Sequence, residues 1–177
     1  MSRGPIPVVV KDGVLSLEQC EAIRAVHRVS AQRSCIRVPG AAPMTRTRVD
    51  SRMPPDVLGA LQAAFAEHVE VVHPVGHIYE SVPGLDVSVA PHRDSPERHD
   101  GRMSTHTLLV YATTTGTGGH TRLVVGPRNA EMAVEPVAGR VVLFPHTVMH
   151  SGDTLAPTDG PKVVVVIRAQ GRIKGRN

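Results

Sequence analysis

The hydrophobic period changes once along this chain, near Val75, and that change limits the fold more than any other feature. Before it, apolar residues recur at helical spacing. Ser16-Leu17-Glu18-Gln19 is a capping box, serine first and glutamine three later. It opens a helix from about 17 to 31 that buries Leu17, Cys20, Ile23 and Val26. Pro54-Pro55-Asp56 opens a second helix, proline being tolerated in a first turn, with Leu58, Leu61, Phe65 and Val69 on one face. A short strand at 7–10, closed by a Lys11-Asp12-Gly13 turn, precedes both helices. Residues 39–43 read as a loop, and 45–50 as either a polar strand or a continuation of it. After Val75 only short Val, Leu and Thr runs remain, punctuated by Gly, Pro and Asp. They give strands near 76–80, 85–90, 104–113, 120–126, 131–135, 139–144 and 162–169. Two helices followed by a series of short strands imply helices packed on a sandwich or barrel.

The core must be built without large aromatics. Two Phe, two Tyr and no Trp leave it to Val, Leu, Ile and Ala, and Val-rich runs lean toward strands. A length of 177 residues suits one domain: a helical part at about 1–72, a strand core at about 73–170 and a basic tail at 171–177. The net charge of +4 is concentrated toward that tail, in Arg168, Arg172, Lys174 and Arg176, so it permits an anionic partner without requiring one. Cys20 and Cys35 are too few and too unpatterned for a disulfide scaffold or a zinc finger. No stretch approaches a transmembrane length and no apolar leader follows the N-terminus, so a cytoplasmic protein without membrane contact is expected.

Chemistry concentrates at Ala90-Pro91-His92-Arg93-Asp94. Side chains at i and i+2 of a strand share a face, so His92 and Asp94 project together. One more histidine would complete the two-His-one-carboxylate set that holds non-heme Fe(II) with open positions. Most of the ten histidines read as bland. His27, His68 and His73 belong to the helical half or its end, His99 to a polar loop, and His106 and His120 to strands. His77 stands beside a Gly76 turn with no evident partner. His146 and His150, after the strand 139–144, are the contenders for third ligand, with His146 the lesser one.

At this point the ordered motifs resemble those of the Fe(II)/2-oxoglutarate-dependent oxygenase superfamily, and most its prolyl-4-hydroxylase-like branch. That branch carries His-x-Asp, then Gly-Gly-x-Thr, a Pro…Gly-Arg strand ending in Phe, a His-x-Gly and a closing Gly-x-Lys. Here stand His92-Arg93-Asp94, Gly118-Gly119-His120-Thr121, Pro136, Gly139-Arg140, Phe144, His150-Ser151-Gly152 and Gly160-Pro161-Lys162. The order holds throughout roughly 76–169, and an ordered set is far more specific than any one member.

The resemblance implies a mainly β fold of α+β class, a double-stranded β-helix (jelly-roll) with the two N-terminal helices packed on it. It implies His92, Asp94 and His150 as iron ligands and catalytic residues. Lys162 matches the cation that pairs with the distal carboxylate of 2-oxoglutarate, Tyr79 stands near a tyrosine that often assists, and Thr121 closes the Gly-Gly-x-Thr. Arg168, on the same face of the last strand by parity, is the fallback anchor. Fe(II), 2-oxoglutarate and O2 are the cofactor and co-substrates implied. Halogenating relatives replace the carboxylate ligand by a small residue, so Asp94 points to hydroxylation. His120 in place of a usual Glu and Pro161 before Lys162 are departures from the pattern.

Substrate contacts are expected from Arg93, His120 and Arg122, the last two sharing strand parity. A small amino-acid-like metabolite is the leading expectation and a peptidyl residue the next. Nucleic-acid demethylation of the AlkB type is disfavoured, because flipped bases are held between aromatics and this chain has almost none. A cupin-like metal-binding barrel without catalysis, holding zinc for example, leaves Lys162 and Gly-Gly-x-Thr unexplained.

Overall fold

The computed structural model describes residues 8–34, 46–83, 88–126 and 129–172. Its elements run β1 (Val9–Lys11), α1 (Leu17–Ser34), β2 (Arg46–Arg52), α2 (Pro55–Ala64), β3 (Val69–Ser81) and β4 (Val89–His92). They continue as β5 (Arg98–His99), β6 (Arg102–Met103), β7 (His106–Tyr111), β8 (Thr121–Val124), β9 (Glu131–Val134), β10 (Val141–Pro145), β11 (His150–Gly152) and β12 (Lys162–Gly171).

The strands form a six-stranded sheet ordered β1-β10-β7-β12-β3-β2, a four-stranded sheet ordered β4-β11-β8-β9 and the small β5-β6 hairpin. Every pairing among them is antiparallel. The result is jelly-roll-like, mainly β with few helices.

Alternation along β7 and β12 explains how one sheet serves two cores. Leu108 and Val110 of β7, with Val163, Val165 and Ile167 of β12, face a cluster completed by Cys20 and Ile23 of α1 and Val57 and Leu61 of α2. Leu109, Tyr111 and Val164 face the opposite way, into a second cluster with Leu123, Val142, Phe144 and Val148. A strand covered on both faces reads as an unbroken apolar run, which is why 163–167 is Val-Val-Val-Val-Ile. Gly76 lies in mid-strand in β3, not at a turn: a Cβ there would come within 2.7 Å of Val165 Cγ1.

The capping box forms as read. The Gln19 amide donates to Ser16 Oγ at 3.1 Å, and the Ser16 amide donates to Gln19 Oε1 at 3.0 Å. Leu17, grouped above with the buried face, is instead 75% exposed at the first position of α1. The stretch left open at 45–50 is an edge strand, β2, paired along its length with β3. β3 itself begins before the period change, at Val69. The hairpin β5-β6 and the short β11 fall where only loop was expected. The expected loop at 39–43, Cys35 and the last residues of the basic tail lie outside the described residues. Among the described residues no helix is long and apolar enough to cross a membrane.

Candidate metal centre and its cavity

Register, not sequence proximity, builds the site. β11 pairs with β4 so that His150 stands directly opposite His92, and on its other side with β8, opposite Leu123. The two imidazoles tilt by 51° with ring centroids 4.2 Å apart. Asp94, just past the end of β4, turns to the same side. One donor atom from each of His92, Asp94 and His150 lies within 4.8 Å of the others. Among the described residues this is the single group of three or more such side chains placed to hold a metal ion. His146 is not part of it. That residue is buried, and neither ring nitrogen meets a hydrogen-bond partner among the described residues.

The donor set has the tautomers a metal needs. His92 Nδ1 lies 3.0 Å from the Ala90 carbonyl and His150 Nδ1 3.2 Å from the Val148 carbonyl. A carbonyl only accepts, so each Nδ1 carries the proton and each Nε2 keeps its lone pair free for a cation. Burial pushes the His150 imidazole below its ordinary pKa, partly opposed by that Val148 contact, which favours the neutral ligand form. For Asp94, burial pushes the carboxyl up. The Thr107 hydroxyl, donating at 2.6 Å, and the Arg168 guanidinium at 2.9 Å outweigh it and hold the group below the usual carboxylate range. Two imidazoles and one carboxylate, clustered on one side, fit a divalent first-row metal such as Fe(II).

The donors open on a cavity of about 120 Å³ between the two sheets, lined also by Tyr79, Thr121, Lys162, Val164 and Arg168. Lys162 is buried despite the preceding proline, and its Nζ donates to the Gly119 carbonyl. Its ammonium also stands 5.7 Å from the centroid of the Tyr111 ring. Gly119 has φ +73°, and Gly118 has no room for a side chain against Asp159 and the 154–156 backbone. The Gly-Gly pair is thereby explained: a sharp, tight turn aims the Gly119 carbonyl at Lys162. Thr121 follows, its hydroxyl oxygen accepting from the buried Tyr111 hydroxyl at 2.7 Å.

Other expected residues stand elsewhere. Thr121 and Leu123 take the inward face of β8, so Arg122 points out and pairs with Asp153 at 2.8 Å. Neither Arg122 nor His120, which precedes β8, lines the cavity. Arg93 is exposed and donates to the Thr147 carbonyl, since a strand end that turns His92 and Asp94 inward must turn Arg93 away. Arg168 does line the cavity, yet its guanidinium is committed to Asp94, Thr107 and Glu97. His77, read as partnerless, lies between Asp50 at 2.8 Å and Glu97 at 2.9 Å.

Thr107, Glu97 and Asp159 were not singled out by sequence reasoning. Asp159 sits in an Asp-Gly-Pro turn that looks like any other, and Thr107 in a strand where threonine is ordinary.

No family model matches the chain, and no curated protein does. Solved structures do. A prolyl-4-hydroxylase from Pseudomonas putida superposes with a TM-score of 0.62 at 16% identity, covering 95% of this chain and 94% of its own. SnoK, a non-heme α-ketoglutarate-dependent carbocyclase from nogalamycin biosynthesis, gives 0.67 at 16% identity over 94% of this chain and 82% of its own. HygX from Streptomyces hygroscopicus, solved with nickel and 2-oxoglutarate bound, gives 0.64 at 17% identity over 93% and 83%. The chain is thus built on the fold of the prolyl-4-hydroxylases, as its ordered motifs imply.

Proposed function

We propose that this chain is a non-heme Fe(II)/2-oxoglutarate-dependent oxygenase that oxidises a C–H bond of a small amino-acid-like metabolite or a peptidyl residue. The observation that carries the reading is the pairing of two features in one cavity. The His92/Asp94/His150 donor group stands at one part of the wall, and the buried ammonium of Lys162 at another. Iron bound there with 2-oxoglutarate and O2 supplies oxidative decarboxylation to succinate and CO2 coupled to oxidation of the substrate.

The protein's own contribution is holding and shielding. His92 and His150 keep Nε2 lone pairs directed inward, and Asp94 supplies the anionic donor. Lys162 takes the distal carboxylate of 2-oxoglutarate by a charge-assisted contact, with Tyr79 and Thr121 on the same wall. Val164, Val166 and Leu109 supply an apolar lining that excludes water from the bound keto acid. Arg168 is assigned to Asp94 and not to the co-substrate. Apart from the two histidine donors, the lining contains one aromatic side chain among the described residues, Tyr79, which gives no support to a base sandwiched as in nucleic-acid demethylases.

The test is anaerobic addition of Fe(II) and then 2-oxoglutarate, followed by visible absorption. A weak charge-transfer band in the wild type that is lost in Asp94→Ala and weakened in Lys162→Ala supports the reading. Tight iron binding with no band in the wild type would overturn it in favour of a metal-binding barrel.

A further inference from the structure

Resting on that reading, we propose that Glu97 and His77 are positioning residues for the metal ligand Asp94, acting through Arg168. The contacts form one continuous chain. Arg168 Nη1 stands 2.9 Å from Asp94 Oδ2 and donates to Thr107 Oγ1 at 2.8 Å, while Arg168 Nε donates to Glu97 Oε1 at 3.1 Å. The same Glu97 oxygen is 2.9 Å from His77 Nε2, and His77 Nδ1 is 2.8 Å from Asp50 Oδ1. Asp50 is held in turn by Arg48, its Nε at 2.8 Å and its Nη2 at 3.1 Å. The path leads from the end of β4 through β12 and the base of the β5-β6 hairpin to β3 and the edge strand β2.

Two physical arguments give this chain a role beyond packing. A guanidinium is planar and rigid, so fixing its Nε edge on Glu97 aims its Nη1 edge at Asp94. Glu97 can serve as a fixed post because its own backbone is locked: its amide donates to Ser104 Oγ, and the Ser104 amide donates to its carbonyl, both at 2.8 Å. The second argument is charge. Arg168 and Asp94 are each only 9% exposed in their side chains, so a guanidinium there repels a dication held by Asp94 with little solvent screening. The Glu97 carboxylate offsets that cation and leaves the Asp94 charge to the metal. His77, between two carboxylates, keeps Glu97 on the Arg168 side.

The experiment is anaerobic Co(II) titration of the full chain, read by its visible d–d absorption, for wild type, Glu97→Gln, His77→Gln, Arg168→Gln and the Glu97→Gln/Arg168→Gln double variant. Thermal melts of the apo-proteins accompany it. Loss of an outer-shell partner costs about 10- to 100-fold in metal affinity. Glu97→Gln is expected to raise the Co(II) dissociation constant about tenfold and to change the d–d spectrum, with His77→Gln moving both the same way by less. Glu97→Gln should cost nothing more once Arg168 is already Gln. Unchanged Co(II) affinity and spectrum in both Glu97→Gln and His77→Gln would overturn the proposal, as would penalties that simply add in the double variant. Should Arg168→Gln not fold, the two single variants decide. A wild type that takes Co(II) but ignores 2-oxoglutarate sinks the oxygenase reading while leaving the positioning chain to be judged on Co(II). A wild type that takes no Co(II) overturns both.

Discussion

His150 stands directly across the β4–β11 ladder from His92, with its ring packed 4.9 Å from that of Phe144. The two histidines are far apart in sequence and meet because antiparallel pairing puts them in one register position. β11 is only three residues long and shifts register between His150 and Gly152. The pairing at His150 is therefore what fixes the donor spacing.

Removing either imidazole should abolish binding of one equivalent of metal but should differ in its effect on the fold. His92 is exposed, so His92→Ala is expected to melt as the wild type does while losing Co(II) absorption. His150 is buried at 9% exposure against Phe144, so His150→Ala is expected to lose both metal and stability. Equal melting temperatures for the two variants would contradict this assignment of burial.

Lys162 is expected to matter for the co-substrate and not for the metal. Truncating one partner of a buried charge pair costs about 2–5 kcal/mol, so Lys162→Met should raise the KM for 2-oxoglutarate by about thirtyfold or more. Its Co(II) affinity without 2-oxoglutarate should stay at the wild-type value. A variant with normal KM would move the co-substrate anchor elsewhere on the cavity wall.

How far the site can be read from the sequence follows from which contacts are local. His92 and Asp94 are two apart, at and just past the end of β4, so the strand's alternation carries both to one side. The His150 position needed an ordered set of motifs, because strand pairing over a long separation leaves no periodic trace. Arg122 shows the limit of parity: alternation groups it with His120 but does not say which face of β8 is inward, and Thr121 and Leu123 took that face. The chain from Asp94 to Asp50 is less legible still, since its members come from five separate segments and each looks like an ordinary polar residue in its own. The helices were readable from caps and period, whereas the β5-β6 hairpin has two residues per strand and too little pattern to see.

Arg122 supplies a control. Its pair with Asp153 is solvent-exposed, and exposed pairs contribute little. Arg122→Ala should leave melting temperature, metal affinity and the KM for 2-oxoglutarate unchanged within error. A marked fall in turnover of a substrate would return Arg122 to the substrate path.

Tyr111 is fully buried and its hydroxyl donates to Thr121 on the cavity wall; burial pushes its phenol well above the ordinary value, so it stays a donor at neutral pH. Tyr111→Phe is expected to cost about 1 kcal/mol in chemical denaturation, the usual size of one such bond. Thr121→Val should cost more, because it leaves the Tyr111 hydroxyl buried without its acceptor. The reverse order would mean that another group satisfies the Tyr111 hydroxyl.

Asp159 ties stability at low pH to the shape of the cavity wall around Lys162. Its carboxylate accepts amide hydrogens from Gly116 at 3.0 Å, Thr117 at 2.8 Å, Gly118 at 2.9 Å and Ala156 at 2.8 Å. These bonds, with the Thr117 amide first, together outweigh the opposing effect of burial and hold the carboxyl below its ordinary pKa. A depressed folded pKa means that the contribution is complete above the unfolded value, about 3.9, and is lost as pH falls through the folded one. Asp159→Asn should therefore melt below the wild type at pH 7, and the gap should close as pH drops below about 4. The same clamp shapes the turn that presents the Gly119 carbonyl to Lys162. The variant should accordingly raise the KM for 2-oxoglutarate while leaving Co(II) affinity alone. A gap that persists unchanged at pH 3 would show that the carboxylate charge is not what stabilises the turn.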